Sequence, residues 1–167
     1  MDVGLLIGRL VFGLLLAAHG CQKLFGWFGG PGIGGTATFF ESLGFHPGRL
    51  FVVATVLAEC GAGLLLALGF VQPAAAAAII SVMIVAIATV HWGNGLLAPN
   101  GIELPFLYLT AAFSLALTGP GAYSLDAMLG LTQWWTLQVT AFILAAGVVA
   151  GLASLGTRRV GPAVAHA

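Results

Sequence analysis

The chain has 167 residues, of which 60% are hydrophobic and only 6% charged, its five basic and five acidic residues cancelling. Soluble domains carry roughly 25% charged residues, so this chain cannot keep a water-facing surface soluble and takes lipid as its solvent. The charge balance leaves no basic patch and excludes nucleic acid as a partner, and two cysteines outside any Cys-x-x-Cys pair exclude a disulfide framework.

In chain order, residues 4–26 form the first predicted span. At ~1.5 Å per residue it crosses a hydrocarbon core of roughly 30 Å with some tilt. Asp2 precedes it and Arg9 interrupts it, with no basic leader, so it reads as a retained helix and not a cleaved signal peptide. Trp27 and Phe28 mark the interface. A glycine-rich loop follows, and Thr36 to Leu43 has apolar side chains at helical spacing, which predicts a short interfacial helix after the first span.

Leu50 to Phe70 is the second span, with Glu59 and Cys60 near its centre. A tight turn at Val71 to Pro73 returns the third span, to about Trp92, antiparallel beside it; the alanine run Ala74 to Ala78 suits close packing. Asn94, Pro99 and Asn100 belong to a polar loop, and Glu103 opens a fourth span that ends at Thr118. Tyr123 to Leu131 reads as an interfacial turn of helix carrying Asp126. A last run without charge, from Trp134 to about Leu155, reads as a fifth C-terminal transmembrane helix before Arg158 and Arg159. Gly147 and Gly151, like Gly4 and Gly8, have the spacing that lets membrane helices approach closely.

The expected fold is therefore an all-α integral membrane protein, a four-helix transmembrane bundle in residues 1–130 with the fifth helix and a short tail in residues 131–167. Ionisable groups inside it need partners. Arg9, His19 and Lys23 share one helical face within about 80°. From the middle of the first span, Arg9 lies about 9 Å toward the N-terminal side, and His19 and Lys23 about 6 Å and 12 Å toward the other. Glu59 falls within ~2 Å of the midplane, with His91 and Glu103 about 12 Å out beside Lys23. This predicts a funnel on one side of the membrane, with Lys23, His91 and Glu103 outside, Glu41 and Asn94 above them, and His19 paired with Glu59 within.

Arg9 is left on the opposite half, where Asp2, snorkelling or a partner subunit's carboxylate would satisfy it. Polar groups between membrane helices also serve simply to hold helices together. Five groups converging on one half of a bundle exceed what packing requires, which favours a functional cavity. Cys21 and Cys60 differ by roughly 9 Å in expected depth and read as structural thiols. His46 and His166 read as surface residues, and no metal site is expected.

The run His19-Gly-Cys-Gln-Lys23-Leu-Phe-Gly-Trp-Phe-Gly-Gly-Pro-Gly, then Thr36-Ala-Thr-Phe-Phe-Glu41-Ser-Leu-Gly, Ala58-Glu59, Val90-His91 with Asn94-Gly95, Glu103-Leu-Pro, and Tyr123-Ser-Leu-Asp126 resemble the DoxX family over about residues 4–130. The resemblance implies a bacterial inner-membrane bundle of four helices, associated with membrane redox and thiol-stress complexes. Its recurrent positions map to Arg9, His19, Lys23, Glu59, His91 and Glu103. The fifth span departs from the family pattern. The positive-inside rule, counting Lys23, Arg49, Arg158 and Arg159, places the funnel at the cytoplasm; the resemblance implies a cytoplasmic N-terminus and an outward funnel, which we adopt.

The functional expectation is a membrane subunit of a bacterial redox system whose cavity takes a quinone head group or a small sulfur or thiol species. His19, Glu59 and His91 would relay protons, and Lys23, Glu103, Glu41 and Asn94 would bind the ligand. The chain supplies no evident flavin, haem or iron–sulfur ligand set, so a quinone is the cofactor to look for and electrons come from a membrane or soluble redox partner protein. A homo-oligomer is compatible with this. The alternative is a non-catalytic membrane anchor or assembly subunit; a transporter is disfavoured because Leu10 to Ala18 separate Arg9 from the funnel.

Overall fold

A computed structural model describes residues 1–159, which are mainly helical with no strand among them. His166 lies outside the described residues. Seven helices form the architecture: α1 (Asp2–Phe25), α2 (Gly32–Ser42), α3 (Gly48–Leu68), α4 (Gln72–Asn94), α5 (Glu103–Thr118), α6 (Leu125–Met128) and α7 (Leu137–Gly156). Four of them, α1, α3, α4 and α7, are long and apolar enough to cross a membrane. The fourth predicted span is instead the shorter α5, whose 16 residues reach about 24 Å against a hydrocarbon core of roughly 30 Å.

Local chemistry explains several helix ends. Asp2 sits in the first turn of α1 and Lys23 in its last, complementing the helix dipole, and Gly26 closes it at φ 74°. Ser124 and Thr136 accept from the Ala127 and Val139 amides at 3.1 and 3.3 Å, capping α6 and α7. Two other starts are capped from a distance. The Glu41 carboxylate accepts from the Gly48 amide at 2.9 Å, at the head of α3. Asp126 accepts from the Val71 and Gln72 amides at 2.8 and 3.0 Å, at the head of α4. Val71 there has φ 42°, a left-handed conformation that is strained for a β-branched side chain, and the two bonds to Asp126 help hold it.

The main core lies between α1, α3, α4 and α5, where Leu16, Leu66, Ile79, Tyr108 and Ala112 are buried together. Helices α1 and α3 touch through small residues: a Cβ on Gly13 would collide with the Gly63 carbonyl, and one on Gly63 with the backbone of Gly13 and Ala17. Helix α7 docks on α4 by the same device, Gly147 resting on Ala77 and Gly151 on Ser81. Gly4, by contrast, meets nothing within 4 Å.

A second core gathers Ala37, Phe40, Phe45, Val52 and Val56, so α2 buries one face against α3. The end of α7 closes over this corner. Arg158 Nε donates to the Leu43 carbonyl at 2.9 Å with its guanidinium over the Phe45 ring, and the Arg159 amide donates to the Gly44 carbonyl at 2.8 Å. Both α3 and α4 contain a single π turn, at Leu57–Gly61 and Ile87–His91. Such turns are rare and concentrate at functional sites. Here they carry Glu59 and His91.

Candidate functional site, a polar cavity beside an apolar one

Lys23 Nζ donates to Glu59 Oε2 at 2.5 Å, joining the last turn of α1 to the π turn of α3. The Glu59 side chain is 7% exposed and Lys23 27%, and among the described residues this is the one ion pair. It corrects the expectation that His19 pairs with Glu59. Helix-axis depth had put Lys23 too far out, but its long stem reaches back toward the midplane.

His19 turns instead to Gln22, Nδ1 lying 3.1 Å from Oε1, and its ring stands edge-on to Tyr108 at 6.0 Å. His91 Nδ1 donates to the Asn100 carbonyl at 2.7 Å, which leaves Nε2 as the ring's second polar atom. His19, Lys23, Glu59, His91 and Tyr108 line one cavity of about 280 Å³. The remaining sequence candidates stand outside it. Glu41 is occupied in capping Gly48, Asn94 donates to the Val90 and Asn100 carbonyls in the exposed loop, and Glu103 is exposed in the first turn of α5.

Tyr108 was not singled out from the sequence, although a lone phenol five positions after Glu103 in an apolar helix was a readable signal. It is buried, and its hydroxyl makes no hydrogen bond among the described residues. A second cavity, of about 400 Å³, lies between α3, α4 and α7 and is lined mainly by alanine, valine and phenylalanine. Phe40, Thr55, Val82 and Val85 line both, so the polar and apolar cavities adjoin.

Arg9 belongs to a separate cluster at the other end of the bundle. It is wholly buried, so it neither snorkels nor pairs with Asp2, whose carboxylate accepts from the Ala122 amide at 2.9 Å. Its Nη2 donates to the Tyr123 carbonyl, and Asp126 supplies the countercharge nearby. A Cβ on Gly69 would collide with the guanidinium, which is why that chain reversal is glycine. Asp126, expected on an interfacial turn, is fully buried and also accepts from Trp135 Nε1 at 2.9 Å. Arg9 Nε and Nη1 and Gln72 Oε1 are buried without partners among the described residues. The cluster ties α1, the α3–α4 turn and the α6 segment together.

Cys21 and Cys60 are also placed differently from expectation. Their sulfurs stand 3.8 Å apart, because α1 and α3 approach closely and Cys60 sits in the π turn. No group of three or more His, Cys, Asp or Glu side chains gathers as metal ligands among the described residues.

The family model described as DoxX matches residues 4–92, just over half of the chain. The chain belongs to the DoxX family. It is also similar to the inner membrane protein YqjF of Escherichia coli (strain K12), 29% identical over 129 residues that cover 77% of this chain and 93% of that protein. No solved structure matches. The DoxX match takes in Arg9, His19, Lys23, Glu59 and His91, whereas Tyr108 and Asp126 lie C-terminal to it. In this DoxX protein the cavity is thus built from the matched region and closed by α5.

Proposed function

We propose that this DoxX protein is a multi-pass subunit of a bacterial redox system in the inner membrane, and that its polar cavity receives the head group of a quinone. The inner-membrane placement is supported by the likeness to the E. coli inner membrane protein. The quinone reading is carried by one observation: a cavity with an ion pair, two imidazoles and a free phenol adjoins an apolar one within the bundle. A quinone has both parts, a carbonyl-bearing ring and an apolar tail. A small sulfur or thiol species would fill the polar end alone.

In this reading Lys23 and Tyr108 donate hydrogen bonds to a ring carbonyl. Glu59, His19 and His91 supply and balance protons as the ring is reduced, the imidazole of His91 being oriented by its bond to Asn100. Electrons come from a partner protein or a soluble substrate, since the chain carries no evident cofactor ligand set.

The test is saturable binding of a quinone by the full chain in nanodiscs, comparing a long-tailed quinone with its tail-less counterpart. Tighter binding of the tailed form, lost in Lys23→Met, supports the reading. Equal binding by Lys23→Met, or no saturable binding, removes it.

A second reading, a non-catalytic anchor or assembly subunit, draws on the mutual neutralisation of Lys23 and Glu59, which would suit a pair that merely fixes two helices. It predicts that Lys23→Met lowers the amount of folded protein and releases partner proteins.

A further inference from the structure

From the approach of Cys21 and Cys60 we infer that these two thiols form a redox-active pair, closing to a disulfide by exchange with a disulfide of a small thiol or a protein. Four observations converge on it. The sulfurs are 3.8 Å apart, on different helices, with no side chain of Gly20 to hold α1 away from Cys60. Closure to an S–S bond of about 2.05 Å is a short displacement for two thiols already in contact. Cys60 lies in the π turn of α3, where the helical ladder is already relaxed. Cys21 is four residues from the end of α1, about 6 Å along the axis, and both thiols are partly exposed.

The step balances without any group beyond the incoming disulfide. One thiol loses its proton and its sulfur attacks a sulfur of that disulfide, which breaks and releases the first thiolate. The other Cys sulfur then displaces the second thiolate from the mixed disulfide. Two S–H bonds are lost and one S–S bond forms, and the two electrons and two protons leave on two equivalents of released thiol. The second displacement is intramolecular, so the mixed disulfide does not accumulate.

The pair is also wired to the polar cavity. Cys21 is two residues before Lys23 and Cys60 directly follows Glu59, so closing the sulfurs draws on the same two turns that hold the ion pair. The dithiol therefore sets the geometry of the Lys23–Glu59 bond according to the thiol–disulfide balance outside.

The experiment uses the full chain, reduced, reconstituted in nanodiscs, freed of reductant and exposed to oxidised glutathione or, separately, to diamide. After denaturation, remaining thiols are alkylated and intact mass is read. The expected result is loss of both alkylatable thiols in the monomer, a mass lower by two hydrogen atoms, no retained glutathione, and full recovery with dithiothreitol. Cys60→Ser should leave Cys21 reduced or carrying glutathione, never bridged. Infrared spectroscopy should show the Glu59 carboxylate band, assigned with Glu59→Gln, shifting on oxidation of wild type and not of Cys60→Ser. Full alkylation of wild type after both oxidants, or a stable glutathione adduct in place of the bridge, overturns the pair; a closed bridge with an unmoved Glu59 band overturns its coupling to the cavity.

Discussion

Asp126 caps Val71, its carboxylate accepting from the Val71 amide at 2.8 Å across 55 residues of sequence. The same carboxylate holds Gln72 and Trp135 and stands as the countercharge to the buried Arg9. One side chain therefore starts α4, fixes the approach to α7 and sets a negative charge near the cation of α1.

Asp126→Ala should be among the most damaging substitutions in the chain. It removes the nearby acidic group from a buried Arg9 and the acceptor from the Val71 and Gln72 amides and from Trp135 Nε1, and the lost helix cap alone should cost about 0.5–2 kcal/mol. Asp126→Asn keeps an acceptor oxygen and should cost less. Unfolding midpoints in mixed detergent micelles check the order wild type, then Asn, then Ala; equal midpoints for all three would show that the carboxylate does not hold this end of the bundle.

For Lys23 and Glu59 the instructive comparison is single against double replacement. Lys23→Met or Glu59→Gln alone leaves a poorly matched polar group inside the bundle and should destabilise by on the order of 3 kcal/mol. The double change to Met and Leu should recover most of that loss, because two apolar groups replace the pair. Quinone binding should not recover. Recovery of both in the same protein would assign the pair to the site without a ligand role.

Tyr108→Phe should leave stability close to wild type, since the hydroxyl makes no intramolecular hydrogen bond among the described residues. Quinone affinity should fall by roughly tenfold, corresponding to about 1–1.5 kcal/mol for one hydrogen bond. Titration of wild type and variant in the same nanodiscs reads the ratio directly.

The crossing of α1 and α3 leaves no room at Gly13, where an added Cβ meets the Gly63 carbonyl and the Ala67 backbone. Gly13→Val should cost about 1–3 kcal/mol or prevent assembly, through overpacking. Gly4→Val, with nothing within 4 Å, should be neutral and is the matched control.

Membrane orientation is readable at Asn100, which is exposed in the loop beside His91. A cysteine placed there, in a chain with Cys21 and Cys60 replaced by serine, should label from outside the cytoplasm if the cavity opens outward as the family resemblance implies. Labelling only from the cytoplasm reverses the orientation. Arg158 weighs little in the charge rule, since its guanidinium is committed to the Leu43 carbonyl and the Phe45 ring.

Much of the molecule was legible before any coordinates. Hydropathy is summed residue by residue, so the apolar runs, their breaks after residue 26, at Val71 to Pro73 and after Thr118, and the all-helical membrane class follow from local composition. The cost of an ion in hydrocarbon is equally local, and it singled out Arg9, His19, Lys23, Glu59, His91 and Glu103 as groups needing partners, of which Glu103 is exposed in the structure. Which partner each one finds is not local. Lys23 in place of His19 for Glu59, Asp126 for Arg9, and Cys21 against Cys60 depend on side-chain reach, on a π turn and on glycine-lined helix approach, none of which a helix-axis depth contains. The sequence alone determined which helices carry charge into the bundle; the tertiary structure decided which charges are buried, as Asp126 is and Glu103 is not, and what answers them, because matching depends on distances of a few ångströms between segments far apart in the chain.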